Sequence, residues 1–197
     1  MSDDFFLTPE DKRFLIGVAR HAILAKLGVE RGDSPKPPSE TVQKPAGAFV
    51  TLRMPDPRGG EPALRGCIGH VVASQPLEST VKDSAVAAAT RDPRFPPLTA
   101  SELNDVTIEI SVLSPLETVS SAQEVEPGKH GVMLSRSGRS GLLLPQVATE
   151  RNWDRETFLT HCCYKAGLSG DCWHDSATEI QVFTATVFTE SELEGNS

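Results

Sequence analysis

The chain has 197 residues, a formal net charge of −8, a pI near 5.1, and 38% hydrophobic against 23% charged residues. That composition fits a soluble globular domain long enough for a real core. Its acidity argues against a general nucleic-acid binder, which needs clustered Lys and Arg to neutralise phosphate.

No stretch approaches the roughly 20 apolar residues that span a bilayer. Met1-Ser2-Asp3-Asp4 is acidic where a secretory signal is basic, so a cytoplasmic protein is expected. The four cysteines are Cys67, Cys162, Cys163 and Cys172. Adjacent cysteines on a helix point about 100° apart and make poor partners for each other. Reduced thiols are therefore expected throughout.

The first predicted helix runs from Thr8 to about Val29. Thr8 is the N-cap, Pro9 takes the first helical position, and Phe14, Leu15, Val18, Ile23 and Leu27 form the apolar stripe. Gly28 and Gly32 end it, and residues 33–46 read as a Pro-rich surface loop. A strand at Ala48–Arg53 and a second at Ala63–Cys67 form a hairpin expected to close on a glycine bend. Pro76–Thr90 is a second helix, alanine-rich on one side and suited to close packing on a sheet.

Val106, Ile108, Ile110 and Val112 alternate with polar residues, the signature of a half-buried strand. A hairpin follows across Gly131–Leu134 and Gly141–Leu144. Asp154 caps a helix that reaches Ala166 and stops at Gly167. Ile180–Phe188 reads as one last, central strand, and residues 189–197 as a mobile acidic tail. Helices mixed with hairpins imply an α+β fold around a largely antiparallel sheet flanked by helices.

The chemistry concentrates at Leu64-Arg65-Gly66-Cys67-Ile68-Gly69-His70. Gly66 and Gly69 could hold Cys67 on a tight bend, and Arg65 could favour its thiolate. The competing reading is a small buried hydrophobe at a strand end. A nucleophilic thiol needs a base, for which His70 and His130 are candidates, His130 sitting in the Gly-flanked loop Gly128–Gly131. Arg94 in Asp92-Pro93-Arg94-Phe95 could hold an anion bidentately or simply pair with a surface carboxylate. Glu109 lies on the polar face of the alternating strand, where a solvated carboxylate is the default.

His161, Cys162, Cys163, Cys172 and His174 lack the Cys-x-x-Cys spacing of a structural zinc site, so no metal is expected there. No phosphate loop or dinucleotide fingerprint occurs, and no cofactor is expected.

These segments resemble the AMMECR family, whose bacterial and archaeal members are called AmmeMemoRadiSam system protein A. The likeness rests on Leu64–Gly69 together with Gly47–Leu52, Asp92–Pro96, Ile108–Pro115, Gly128–Gly131, Leu142–Ala148 and Lys165–Leu168. The resemblance implies one domain over residues 1–197, with a larger α+β lobe and a smaller β-rich lobe. It also implies association with a Memo-type protein and a radical S-adenosylmethionine enzyme, but no agreed reaction. The insert near 35–45 and the doubled Cys162-Cys163 are not family hallmarks.

The leading expectation is an enzyme or enzyme component using Cys67 as nucleophile or thiol carrier on a small anionic substrate. Arg65, Gly66, Gly69, Arg94 and Glu109 would bind, and His130, before His70, would move the proton. The alternative is a non-catalytic adaptor whose Leu64–Gly69 turn is a docking surface.

Overall fold

In the computed structural model, which describes residues 6–29 and 32–194, Thr8 opens helix α1 (Pro9–Lys26) with a reciprocal cap. Its hydroxyl accepts the Asp11 amide at 3.1 Å while the Asp11 carboxylate takes the Thr8 amide at 2.9 Å. Asp11 is buried, and the Ser39 hydroxyl donates to its second oxygen at 2.6 Å. The predicted Pro-rich loop is thereby tied to the helix start. It also contains a short 3-10 turn, Thr41–Gln43, whose Val42 is wholly buried. Gly28, with φ +72°, reverses the chain after α1.

The chain is α+β, with two antiparallel sheets. Contacts divide it into two compact units, Met1–Leu113 with Thr186–Ser197, and Ser114–Ala185. The first unit holds the sheet β2-β1-β3-β8, built from β1 (Ala48–Met54), β2 (Ala63–His70), β3 (Thr107–Leu113) and β8 (Ala185–Thr189). Ala48, Val50 and Leu52 of β1 and Ile108, Ile110 and Val112 of β3 turn inward. Helices α1 and α2 (Leu77–Thr90) pack with this apolar face in one core cluster. Burial of six aliphatic side chains here contributes on the order of 10 kcal/mol before conformational entropy is subtracted.

Three expectations change in this unit. First, β2 runs straight through the glycines to His70, and neither Gly66 nor Gly69 has positive φ. These glycines serve close approach instead of bending. A Cβ on Gly66 would stand 2.3 Å from the Ala88 carbonyl oxygen of α2. Second, the last predicted strand is two strands that part at Thr184. β7 (Glu179–Phe183) belongs to the other sheet, and β8 to this one. Third, residues 190–194 are helix α5 (Glu190–Glu194) rather than a free tail. Glu190 accepts Arg20 Nε at 3.1 Å, and residues 195–197 lie outside the described residues.

The second unit holds the sheet β4-β7-β5-β6, with β4 (Glu117–Thr118), β5 (Gly131–Arg136) and β6 (Arg139–Leu143). The β5–β6 turn places both Ser137 (φ 51°) and Gly138 (φ 76°) in the left-handed region, as a two-residue hairpin with right-twisted strands demands. After α3 (Pro145–Glu150), Asp154 caps α4 (Arg155–Lys165) by accepting the Thr157 amide at 2.8 Å. Phe158, Leu159 and Cys162 of α4 are buried in this unit's core.

The expectation of four reduced thiols fails here: Cys163 and Cys172 form a disulfide, with Cα atoms 6.0 Å apart. Gly167, at φ +69°, ends α4 and turns the chain back, so the residue nine positions on reaches Cys163. Among the described residues, no helix is long and apolar enough to cross a membrane.

Candidate functional site

β1 is the second strand of its sheet, and its outward side carries Phe49, Thr51 and Arg53. The register sets Thr51 opposite Cys67 on β2 and opposite Glu109 on β3. A row Cys67–Thr51–Glu109 therefore crosses three strands on one face. Thr51 Oγ1 donates to Cys67 Sγ at 3.2 Å. Arg53 Nε lies 3.3 Å from Glu109 Oε2, so the predicted solvated carboxylate is in fact half of an ion pair. The Cys67 side chain is partly exposed, whereas Thr51 is buried.

β2 is an edge strand, and edges leave backbone groups open to other chains. At Cys67 both groups are taken by the segment that follows α2. The Cys67 amide donates to Asp92 Oδ2 at 2.8 Å, and Arg94 Nη2 donates to the Cys67 carbonyl at 3.3 Å. Asp92 also accepts the Arg94 amide (3.1 Å), Nε (2.9 Å) and Nη2 (2.7 Å).

The Arg94 guanidinium holds the Asp92 carboxyl far below the usual carboxylate range. Burial opposes the shift, and the Cys67 and Arg94 amides assist it. Arg94 is raised in turn, chiefly by its hydrogen bond to Asp92. Asp92 is 4% exposed while the Arg94 side chain is 54% exposed, so the pair joins a buried anion to a solvent-facing cation.

Arg65 occupies a different position from the one foreseen. Leu52 pairs with Gly66 and Arg53 with Leu64, so Arg65 is the unopposed residue of a β-bulge. Its guanidinium donates to Glu102 through Nε (2.7 Å) and Nη2 (3.2 Å), and to the Pro96 carbonyl at 3.0 Å. It fastens residues 96–102 to β2 and does not hydrogen-bond to the thiol. The cation beside Cys67 is Arg94.

His70 is three positions from Cys67 along a regular strand, so its side chain leaves from the opposite face. His130 belongs to the second unit, where its Nδ1 accepts the Glu126 amide at 3.2 Å. Among the described hydrogen bonds of Cys67, none involves a histidine.

The site thus gathers Cys67, Arg94 and Glu109 on or beside one sheet face of the first unit, with His70 directed to the opposite face. Two of its members escaped the sequence reading of candidate binding and catalytic groups. Thr51 betrays itself only by its outward place in the β1 alternation. Asp92 was legible as an acid two residues before Arg94, but its bond to the Cys67 amide joins residues 25 apart. The arrangement can present a thiol of fixed backbone and rotamer next to guanidinium donors. Cys163 and Cys172, bonded to each other, are not ligands for a metal. Cys162 is fully buried and donates to the Gly141 carbonyl at 3.3 Å.

The AMMECR1 family model matches residues 16–188. Protein MK0488 of Methanopyrus kandleri is 43% identical over 197 residues, spanning 96% of this chain and 93% of that one. Protein PF1979 of Pyrococcus furiosus is 40% identical, spanning 92% of this chain and 89% of its own. The crystal structure of the uncharacterized protein PH0010 from Pyrococcus horikoshii is similar with a TM-score of 0.80 at 37% identity, covering 93% of each chain.

Proposed function

The chain belongs to the AMMECR1 family, and on that premise we propose that it is a cytoplasmic enzyme, or a component of one. Cys67 acts in it as a nucleophile or thiol carrier toward a small anionic substrate. The supporting observation is the Arg94 Nη2 bond to the Cys67 carbonyl, which sets an exposed guanidinium beside a partly exposed thiol.

Arg94 Nε and Nη2 are engaged with Asp92 and Cys67, which leaves the two N–H groups of Nη1 for a ligand among the described residues. Asp92 balances the charge, so recognition rests on these directed donors more than on net charge. A carboxylate or phosphate suits them. The partners suggested by the likeness to AmmeMemoRadiSam system protein A are a Memo-type protein and a radical S-adenosylmethionine enzyme.

The test compares alkylation of Cys67 by anionic iodoacetate and neutral iodoacetamide, with the modified peptide identified by mass. Arg94→Gln is expected to lower the iodoacetate-to-iodoacetamide rate ratio by roughly threefold or more, since a charge-assisted hydrogen bond is lost. A Cys67 that reacts with neither reagent in the folded protein removes the nucleophile reading.

A second reading is favoured by Leu64, near the start of β2, and Val72, two residues past its end, which are 36% and 68% exposed. Apolar side chains beside an edge strand suit a docking surface. In that adaptor reading, capture of a Memo-type partner survives Cys67→Ser and is lost with Leu64→Glu.

A further inference from the structure

Within the second unit, a groove of about 560 Å3 is lined by Thr118, Ser121, Trp173, Asp175, Thr178 and Ile180, among others. One wall is the segment 173–180, which starts immediately after Cys172. The hydrogen bonds that shape this segment are local. Cys172 bonds back to Ser169, His174 to Asp171, Asp175 to Cys172 and Thr178 to Asp175. The Thr178 hydroxyl also returns to the Cys172 carbonyl at 2.6 Å. Such bonds travel with the segment and do not hold it in place.

The ties to the rest of the unit are few. Arg139 Nη1 donates to the Gly167 carbonyl at 2.8 Å, and Arg136 pairs with Asp175 at 2.7 Å in a solvent-accessible ion pair. Trp173 and Leu168 pack at the edge of the core, and the strand β7 begins at Glu179. Two ties run to α4: the Leu168 amide donates to the Cys163 carbonyl at 3.0 Å at the helix end, and further along the segment Cys172 is covalently bonded to Cys163. The other two cysteines, Cys67 and Cys162, are free thiols, so oxidation selects this pair.

We infer that the Cys163–Cys172 disulfide is a reducible latch that holds segment 168–178 as one wall of this groove. A dithiol reductant opens it. The reductant's two thiols join as a disulfide and give up two electrons and two protons, the Cys163–Cys172 bond breaks, and each sulfur takes one proton. A small-molecule disulfide reverses the step by thiol–disulfide exchange: the Cys163–Cys172 bond forms, the oxidant's S–S bond breaks, and its two sulfurs take the two electrons and two protons. With the bond open, the segment keeps its local turns and its Leu168 hydrogen bond at the helix end but loses its covalent anchor to α4, so the groove wall opens about that end. The latch is independent of any role of Cys67.

Hydrogen exchange on the full chain, before and after dithiothreitol, tests the inference. The denatured protein should count two free thiols before reduction and four after, in keeping with two free cysteines in the fold. Amides of residues 168–178 should exchange roughly tenfold faster or more on reduction, while those of β5 and β7 stay protected. Cys172→Ser should show the same local acceleration without reductant. Unchanged exchange in 168–178 overturns the latch. Exchange that rises equally across β5 and β7 also overturns it, because the bond then holds the whole unit together. Four thiols in the protein before reduction would leave no latch to open.

Discussion

The Cys67 amide and the Asp92 carboxylate meet at 2.8 Å on the open side of edge strand β2, and the same carboxylate grips Arg94 through three further bonds. One buried acid therefore closes the sheet edge and orients the exposed cation. All four of its partners are donors. Asp92→Asn puts an N–H2 group against them and removes the charge. A loss of about 2–3 kcal/mol in urea unfolding is expected, in the range for breaking a charged, buried hydrogen-bond set. A loss below about 0.5 kcal/mol would show that the clamp does not stabilise the fold.

Glu102 gives the fold an acid-sensitive contact. Its carboxyl is lowered to about 2, first by the Arg65 side chain, with burial opposing and Thr99 assisting. A folded-state value below the unfolded one (about 4.3) adds stability above the unfolded value, and that stability is lost as pH falls toward the folded value. The window runs from about pH 4.5 to about 2. Asp92 shifts in the same direction and extends the loss further down. In Glu102→Gln, the slope of unfolding free energy against pH across this window should flatten relative to the wild type. An unchanged slope rules out the Arg65–Glu102 contact as its source.

Thr51 is the direct partner of the candidate nucleophile, 3.2 Å from Cys67 Sγ. A hydroxyl donor binds a sulfur anion more strongly than a neutral thiol. Thr51→Val keeps the side-chain shape and removes the donor, so alkylation of Cys67 at fixed pH should slow by about fivefold, the equivalent of one hydrogen bond near 1 kcal/mol. Thr51→Ser should restore most of the rate. Equal rates in all three proteins would make the contact a packing feature alone.

Local chemistry was the legible part of this fold. The caps at Thr8 and Asp154 and the alternation in β3 follow from neighbours within a few residues and appear where expected, and the hairpin expected across Gly131–Leu134 and Gly141–Leu144 forms with its strands extended to a turn at Ser137-Gly138. What escaped depends on partners far along the chain. Glycine freedom at Gly66 and Gly69 suggested a bend, but the need for glycine arises from the Ala88 carbonyl and the Phe49 ring. Arg65 looked like the companion of Cys67 because it is two residues away, yet its carboxylate partner is 37 residues on. The apolar run after Ile180 keeps its pattern through Thr184, and only a change of neighbouring strand splits it. Cysteine adjacency obscured the disulfide, which pairs the second member of the doublet with a residue past the helix end.

The glycine argument makes a contrast that can be measured. A Cβ at Gly66 meets backbone, the Ala88 carbonyl oxygen at 2.3 Å, which cannot swing aside as a side chain can. Gly66→Ala should therefore cost about 1–3 kcal/mol, the usual range for overpacking. Gly32 has nothing within 4 Å of its would-be Cβ and no positive φ. Gly32→Ala should leave stability within about 0.5 kcal/mol or raise it slightly, by restricting the unfolded chain. Parallel urea titrations of the two variants decide the point, and equal losses would sink the close-packing account of Gly66.

The buried thiol of Cys162 sets the behaviour of the second unit at high pH. Burial pushes this group up to about 11, with the Leu134 backbone, Lys165 and the Leu143 backbone working the other way. The unfolded chain releases the proton near 8.5. Below that value both states hold the proton and Cys162 exerts no pull on the equilibrium. Above it the unfolded state ionises first, so stability falls between about pH 8.5 and 11. Cys162→Ala removes the titrating group and leaves a small void. Its expected signature is a lower stability at pH 7 by about 1 kcal/mol, with a flatter alkaline limb than the wild type. In the folded wild type at pH 8, Cys162 should also remain unmodified by iodoacetamide while Cys67 reacts. Parallel alkaline limbs in the two proteins, or labelling of Cys162 at the rate of Cys67, would contradict a thiol sealed between Val132 and Gly141.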